Sequence, residues 1–406
     1  KFLEKDTYDE IDFSYSPEKW FLLGIVKRKL FQYDDAQAIL KHALELRGDY
    51  AAAKRELELV LRLKRNTMEQ RIKQYKKMSL NHAEPKSEHY NILSIDGGGM
   101  RGLIPAIWMS ELEQKTGLSS SSMFHMMAGT STGAIITASL SLPDKPGSRQ
   151  PRFRATDVVE LYTTKSERIF TRASWIQKYS KTLATYTADG RNGLFDEYFG
   201  DARLSQALTD LVITTTQLGS DIPVVFHRNE ILMHKSKDYK LTDILMCTTA
   251  APTFFPSYQL DDCTFVDGAL QANNPVQIAY TKAHESGGSH DNIFILSLGT
   301  GDCISDPSNP NKEKSLLFWQ TDYIQDVLTA VYKIPQNNTH NQLSQMFNGN
   351  QYHRWQVWLE NSIALDDISK KTLEKLMNLA HAYFEEMDNL DNNNRLGKII
   401  ERLKGQ

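Results

Sequence analysis

The chain has 406 residues, of which 40% are apolar and 24% charged, and its formal net charge is -3. That composition excludes collagen-like, disordered and low-complexity classes and supplies enough apolar material for a sizeable core. No apolar run approaches the ~18 residues of a membrane span, and the near-neutral balance gives no global field toward nucleic acid. The three cysteines, Cys247, Cys263 and Cys303, are too few and too scattered for a disulfide framework or a cysteine-rich zinc site, which points to a reducing compartment. Residue 1 is Lys rather than Met. The expectation is therefore that the chain continues upstream, and the lack of a leader has no meaning.

Residues 17–80 read as helix throughout. Two shorter helices are expected at roughly 17–30 and 34–47, and a longer one from about 51 to 78 after the break at Gly48 to Ala51. Trp20, Leu23, Gly24, Ala36, Leu40 and Ala43 fall at the offsets of a tetratricopeptide repeat. Small Ala36 and Ala43 would let two helices approach while Trp20 and Leu23 fill the groove. Only one such unit is found, and one unit cannot bury its own face. Either more repeats lie upstream, or the hairpin packs on the next domain. The third helix carries Arg62, Lys64, Arg65, Arg71, Lys73, Lys76 and Lys77 against Glu69 alone. Attraction to anionic lipid is one use of such a stretch; a solvated helix face is the plainer reading and is preferred. Asn81 to Lys86 reads as a linker. From Asn91 onward, strands alternate with helices, the pattern of a parallel α/β sheet.

Asn91 to Asp96 is a short apolar strand, followed by Gly97-Gly98-Gly99-Met100-Arg101-Gly102 and then by a helix from Leu103 with Pro105 in its first turn. Backbone N–H groups of a glycine turn at a helix start favour negative charge. Gly97, Gly99 and Gly102 satisfy G-x-G-x-x-G, but a dinucleotide fingerprint also wants an acid about 20 residues on. There is no Asp or Glu from Gln114 through Pro143. An oxyanion hole is the other use of such a loop.

Gly129-Thr130-Ser131-Thr132-Gly133 is G-x-S-x-G, with a short strand, Met126 to Ala128, before it and a helix from Ala134 after it. A serine at a strand-to-helix turn exposes its hydroxyl in a strained bend. It also needs a base. None of the eleven histidines stands in a motif that marks it as the partner. His125 precedes the elbow strand and is expected at its opposite end. Further on, Asp261 to Val266 reads as a strand that delivers Asp267 to a turn at Gly268, and Asn273-Asn274-Pro275 opens a helix. On these residues alone, Asp267 is read as an Asx turn.

Taken together, these segments resemble the patatin-like phospholipase family. Ile92 to Ile107 resembles its opening segment and Ala128 to Gly133 its elbow. Phe195 to Phe226 resembles its middle region. Thr248 to Pro256, Val266 to Ala269 with Asn273 to Pro275, and Ile295 to Gly301 resemble its second half. The resemblance runs from about Glu88 to the C-terminus. It departs from the common pattern at Ala134, where many members have glycine, and at Ala269. It implies a three-layer α/β/α sandwich with a mostly parallel central sheet (residues 86–406), preceded by the all-α segment 1–85.

The resemblance also implies a Ser–Asp dyad without histidine. Ser131 would be the nucleophile, Asp267 the general base, and the N–H groups of Gly97, Gly98 and Gly99 the oxyanion hole. Arg101 would contact a substrate phosphate or order the loop. No cofactor and no metal are implied, since no calcium loop is present. The expected activity is phospholipase A type hydrolysis of acyl esters at a phospholipid membrane surface or micelle, by a cytoplasmic protein peripheral to membranes. Secretion into a host cell stays open. Trp175, Ile176, Phe195 and Phe199, expected in loops, and Leu316 to Trp319 are candidates for a lid or insertion surface, although core packing is the preferred reading of both. The N-terminal helices suggest a protein partner or activator, as some bacterial members of the family have. Two alternatives remain: a nucleotide-binding α/β protein, and a helical interaction module fused to an inactive or partner-activated hydrolase domain. Gln351 to Glu360 reads as a strand between C-terminal helices.

Overall fold

In the computed structural model the described residues are 16–65, 73, 76, 80, 88–172, 184–220, 223–234, 236–303, 322–360, 362–390 and 394–405. The chain divides into two compact units, residues 1–77 with 381–399, and residues 78–380 with 400–406. Residues 381–399, which the sequence pattern does not separate from the α/β part, belong to the first unit.

The first unit contains α1 (Pro17–Lys29), α2 (Tyr33–Leu46) and α3 (Ala51–Arg65). Ser16 caps α1 by accepting the Lys19 N–H at 3.4 Å, with Pro17 in the first turn, where its missing donor costs nothing. Ala36, Leu40 and Val60 form the small core. Trp20 stands edge-on to His42 at 4.7 Å. Buried Arg28 pairs with Glu56 and Glu386, so no bare charge is left inside. The long third helix is described only to Arg65, and most of the basic stretch and the linker 81–86 lie outside the described residues. Two of its cations are paired: Lys64 with Asp34 at 2.5 Å and Arg62 with Glu385 at 3.4 Å.

The second unit is built on an eight-stranded sheet. Its strands are β1 (Tyr90–Ile95), β2 (Met126–Gly129), β3 (Asp210–Gln217), β4 (Val224–His227), β5 (Tyr258–Leu260), β6 (Cys263–Asp267), β7 (Ile293–Leu298) and β9 (Tyr352–Trp355). The order is β5-β6-β3-β2-β1-β7-β9, with β4 also on β3. From β3 through β9 the pairings are parallel, whereas β4 and β6 run antiparallel to β3 and β5 antiparallel to β6. The strand expected across Gln351 to Glu360 is two strands. β9 joins the main sheet, and β10 (Trp358–Leu359) pairs instead with β8 (Asp302–Cys303).

A mostly parallel sheet must be covered on both faces, because its crossovers lay helices on each. Ile92, Met126, Ala128, Val212 and Ile295 face α9 (Val276–Glu285) and α10 (Asp322–Met346) through Val276, Ala279, Ala283 and Leu343. Met127 points the other way, where its sulfur accepts the Ser141 hydroxyl of α5 (Thr132–Ser141) at 3.3 Å. Phe195 and Phe199, expected in loops, lie on a helix, Asp189–Phe199, and are buried. They are core, not an insertion surface. Trp175, Ile176 and Leu316 to Trp319 lie outside the described residues. Among the described residues no helix is long and apolar enough to cross a membrane.

One buried carboxylate ties three helices together. Glu113, on the helix Leu103–Thr116, accepts the Ser120 N–H at 2.9 Å and the Ser120 hydroxyl at 2.7 Å, and its other oxygen accepts the Ala155 N–H at 2.9 Å. Ser120 and Ala155 each open a helix, so the acid satisfies two orphan helix-start donors. Replacing Glu113 by Ala strands both donors inside the protein. A loss of about 3 kcal/mol is expected, to be read by denaturant unfolding of wild type and variant.

Candidate active site

The site forms where the C-terminal ends of β1, β2 and β3 meet the end of β6. Ser131 lies two residues past the end of β2 and has φ 52 and ψ -118, a left-handed-side conformation that a non-glycine residue rarely holds. Such strain, of order 1–3 kcal/mol, persists only where the surroundings enforce it. Gly133 is part of that enforcement. A side chain there would run into the Ile95 and Asp96 carbonyls, so only glycine lets α5 start against the end of β1. The Ser131 N–H donates to the Thr248 hydroxyl at 2.9 Å, which fixes the turn from a second side.

Asp267 is the last residue of β6 and pairs with Thr215 of β3. Its two oxygens do different work. Oδ1 accepts the Ala269 N–H at 2.8 Å, the Asx turn expected from the sequence. Oδ2 accepts the Ser131 hydroxyl at 2.6 Å. The structure thus brings together two residues 136 apart in sequence. His125 lies at the other end of β2, with Nδ1 on the Asn91 N–H at 3.0 Å. Among the described residues no histidine is bonded to Ser131 or Asp267.

The glycine loop lies beside the serine: a Cβ on Gly97 would sit 3.5 Å from that of Ser131. Gly97 itself departs from the oxyanion-hole expectation. Its N–H donates to the Asn273 carbonyl at 3.0 Å, and its own carbonyl accepts from Thr300 at 2.8 Å. Gly97 is thereby a pinned hinge of the loop rather than a free donor. Among the described residues the N–H groups of Gly98 and Gly99 have no partner. Arg101 faces the Cys303 thiol and the acids Asp302 and Asp96, and its Nε is buried with no partner among the described residues. Asp96, fully buried just before the loop, is gripped by Arg354 of β9, whose Nη1 donates to Oδ1 at 2.9 Å.

Residues 93–280 match the family model described as "Patatin-like phospholipase". That stretch of the chain resembles patatin-like phospholipases. The chain is similar to "Patatin-like protein 2" of Arabidopsis thaliana, 35% identical over 266 residues that cover 57% of this chain and 65% of that protein. It is also similar to "Patatin-07" of Solanum tuberosum, 30% identical over 244 residues that cover 53% of this chain and 61% of that one. The chain thus spans less than two thirds of the length of these relatives. The solved structure of VipD from Legionella pneumophila overlaps at TM-score 0.35 and 13% identity, covering 79% of this chain and 72% of that one, a level that carries no argument.

Within the matched stretch 93–280 three side chains at the site have no sequence signal of their own. Thr248 and Asn273 stand in stretches that resemble the family but had no assigned role, and Arg191 stands in no motif at all. A fourth, Tyr332 of α10, is near enough to Asp267 to feel its charge; burial and that charge together push its hydroxyl well above the ordinary tyrosine range.

Burial raises the Asp267 carboxyl from its ordinary 3.8 to about 6, against the pull of the Ser131 and Ala269 hydrogen bonds and the Arg191 charge. The fold therefore binds the Asp267 proton more tightly than the unfolded chain does. The stabilisation this group adds is complete below its unfolded value and is lost as pH rises through about 6. Asp267→Asn, neutral at every pH, is expected to be more stable than wild type at pH 8, by up to about 3 kcal/mol, and to lose that lead at pH 4. Thermal melts at the two pH values check the prediction.

Proposed function

We propose that this protein hydrolyses acyl esters of membrane glycerophospholipids, with Ser131 as nucleophile and Asp267 as general base. The observation that carries the reading is the 2.6 Å bond from the Ser131 hydroxyl to Asp267 Oδ2 at a strained strand-to-helix turn. The similarity to patatin-like proteins supports the choice of an acyl lipid as substrate.

In the proposed cycle the Asp267 carboxylate takes the hydroxyl proton as Ser131 Oγ attacks the ester carbonyl. The N–H groups of Gly98 and Gly99 receive the oxyanion, and the helix start beyond them favours the same charge. The tetrahedral species collapses, the acyl–oxygen bond breaks, and Asp267 returns its proton to the departing lysophospholipid alkoxide. A water then loses its proton to Asp267 and attacks the acyl-serine. Free fatty acid leaves, and the serine regains its proton.

No step uses a metal. Among the described residues the group with metal-ligand spacing is His227, Glu230 and Glu285. His227 pairs with Val212 near the start of β3, away from Asp267, and Lys282 already bridges Glu230 and Glu285. The substrate resides in a bilayer or micelle, so the same reading has the protein act peripherally at such a surface.

Fatty-acid release from phosphatidylcholine vesicles tests the proposal. Ser131→Ala and Asp267→Asn are each expected to lose at least about 10³-fold in rate, and a calcium chelator to change nothing. The wild-type rate should climb as pH passes about 6, where Asp267 ionises. Hydrolysis that survives Ser131→Ala would overturn the assignment.

A further inference from the structure

Arg191 lies on the helix Asp189–Phe199, fully buried inside the catalytic unit. Its Nη1 donates to the Thr249 carbonyl, and its guanidinium carbon sits 4.1 Å from the centre of the Phe255 ring. Its Nε and Nη2 are buried with no hydrogen-bond partner among the described residues. An arginine half-paired in the interior is a costly arrangement if its only purpose is packing. The charged and titratable groups facing it are Asp267 at the end of β6, Cys247 of the helix Leu241–Thr248, and Tyr258 of β5, the hydroxyl of which donates to Asp243 at 2.7 Å. Asp267 in turn faces Arg191, Ser131 and, from α10, Tyr332.

The turn that anchors Arg191 also anchors both members of the Ser131–Asp267 pair. The Thr248 hydroxyl accepts the Ser131 N–H at 2.9 Å, the Thr248 carbonyl accepts the Gly268 N–H at 3.3 Å, and the Ala250 carbonyl accepts the Asp267 N–H at 3.0 Å. Thr249, between them, holds Arg191. Three consecutive residues therefore fix the nucleophile backbone, the base backbone and a buried cation in one frame.

We propose that Arg191 is a positioning residue for the Ser131–Asp267 pair: clamped on the turn at 248–250, its guanidinium keeps Asp267 in the carboxylate form that can take the serine proton. The inference rests on the acyl-hydrolase reading above and deepens it. A buried carboxyl with no cation nearby would hold its proton into the neutral range and would be a poor base. Arg191 supplies the opposing charge without a direct ion pair, which would tie up the oxygen that Ser131 needs. Burial lowers Arg191 itself only to about 10, so it stays cationic across the working range.

The experiment is the pH profile of kcat/KM for fatty-acid release by wild type, Arg191→Met, Arg191→Gln and Arg191→Lys. The neutral variants are expected to move the acid limb upward by about one pH unit or more, a loss of about fivefold or more at pH 6 that approaches tenfold at pH 5 and largely disappears at high pH. Arg191→Lys, which keeps the charge, should return the limb toward the wild-type position. A uniform loss at every pH with the limb unmoved would overturn the proposal. So would collapse of the fold in both neutral variants, because the role would then be structural. A carboxyl-¹³C NMR titration of Asp267, assigned by its loss in Asp267→Asn, reads the same shift without turnover. If wild type releases no fatty acid, the hydrolase reading fails, while the NMR titration still decides the role of Arg191.

Discussion

A single hydrogen bond, from Ser131 to Asp267, depends on most of the second unit being in place. β2 and β6 never touch; β3 lies between them, parallel to one and antiparallel to the other. The register is what matters. Gly129 at the end of β2 pairs with Ile213 of β3, and Asp267 pairs with Thr215 two residues further along β3, which sets Asp267 level with Ser131. A one-residue slip of β6 on β3 would turn Asp267 to the other face of the sheet. The register of an outer pair of strands is thus a constraint on chemistry and not only on packing.

Around that bond the interior holds buried acids. Asp96 and Asp267 are both buried near the site, both are pushed toward their neutral forms by burial, and each has an arginine to oppose the push. The two arrangements differ. Arg354 grips Asp96 with both ends of its guanidinium and so fixes the approach to the glycine loop. Arg191 acts on Asp267 from the side and is bonded to the backbone instead. The first arrangement suits an acid whose place must be fixed, and the second suits the proton exchange proposed for Asp267. Pinning Gly97 between Asn273 and Thr300 suits the oxyanion role proposed for Gly98 and Gly99, since donors aimed at a developing charge are useful only when they need no rearrangement.

Local features of the site were legible because their causes are local. Ser131 between Gly129 and Gly133 and the run Gly97 to Gly99 announce tight turns after strands, and glycine and serine are required there by the backbone itself. Asp267 was ambiguous for the same reason. Its Asx turn to Ala269 is a two-residue matter and can be read from the sequence, whereas its bond to Ser131 uses the other oxygen and crosses the sheet. Both readings describe the same side chain. The loop assignment of Phe195 and Phe199 failed because the glycines at 190 and 193 interrupt a helical pattern that burial nonetheless maintains. That the Gly97 N–H is already engaged does not show in the sequence, because its acceptor, the Asn273 carbonyl, lies 176 positions away.

The sequence by itself determined the strand-to-helix turns, the alternation that makes an open α/β sheet, and the serine held at the G-x-S-x-G turn, since each follows from residues within a few positions of one another. Only the tertiary structure decided which carboxylate the serine hydroxyl meets, which glycines keep unpaired N–H groups, and which buried cation faces that carboxylate. Those are contacts between segments brought together by strand order and register. Arg191 and Thr248 carry no local pattern that would mark them, because what makes them matter is the distance across the fold to Asp267 and Ser131.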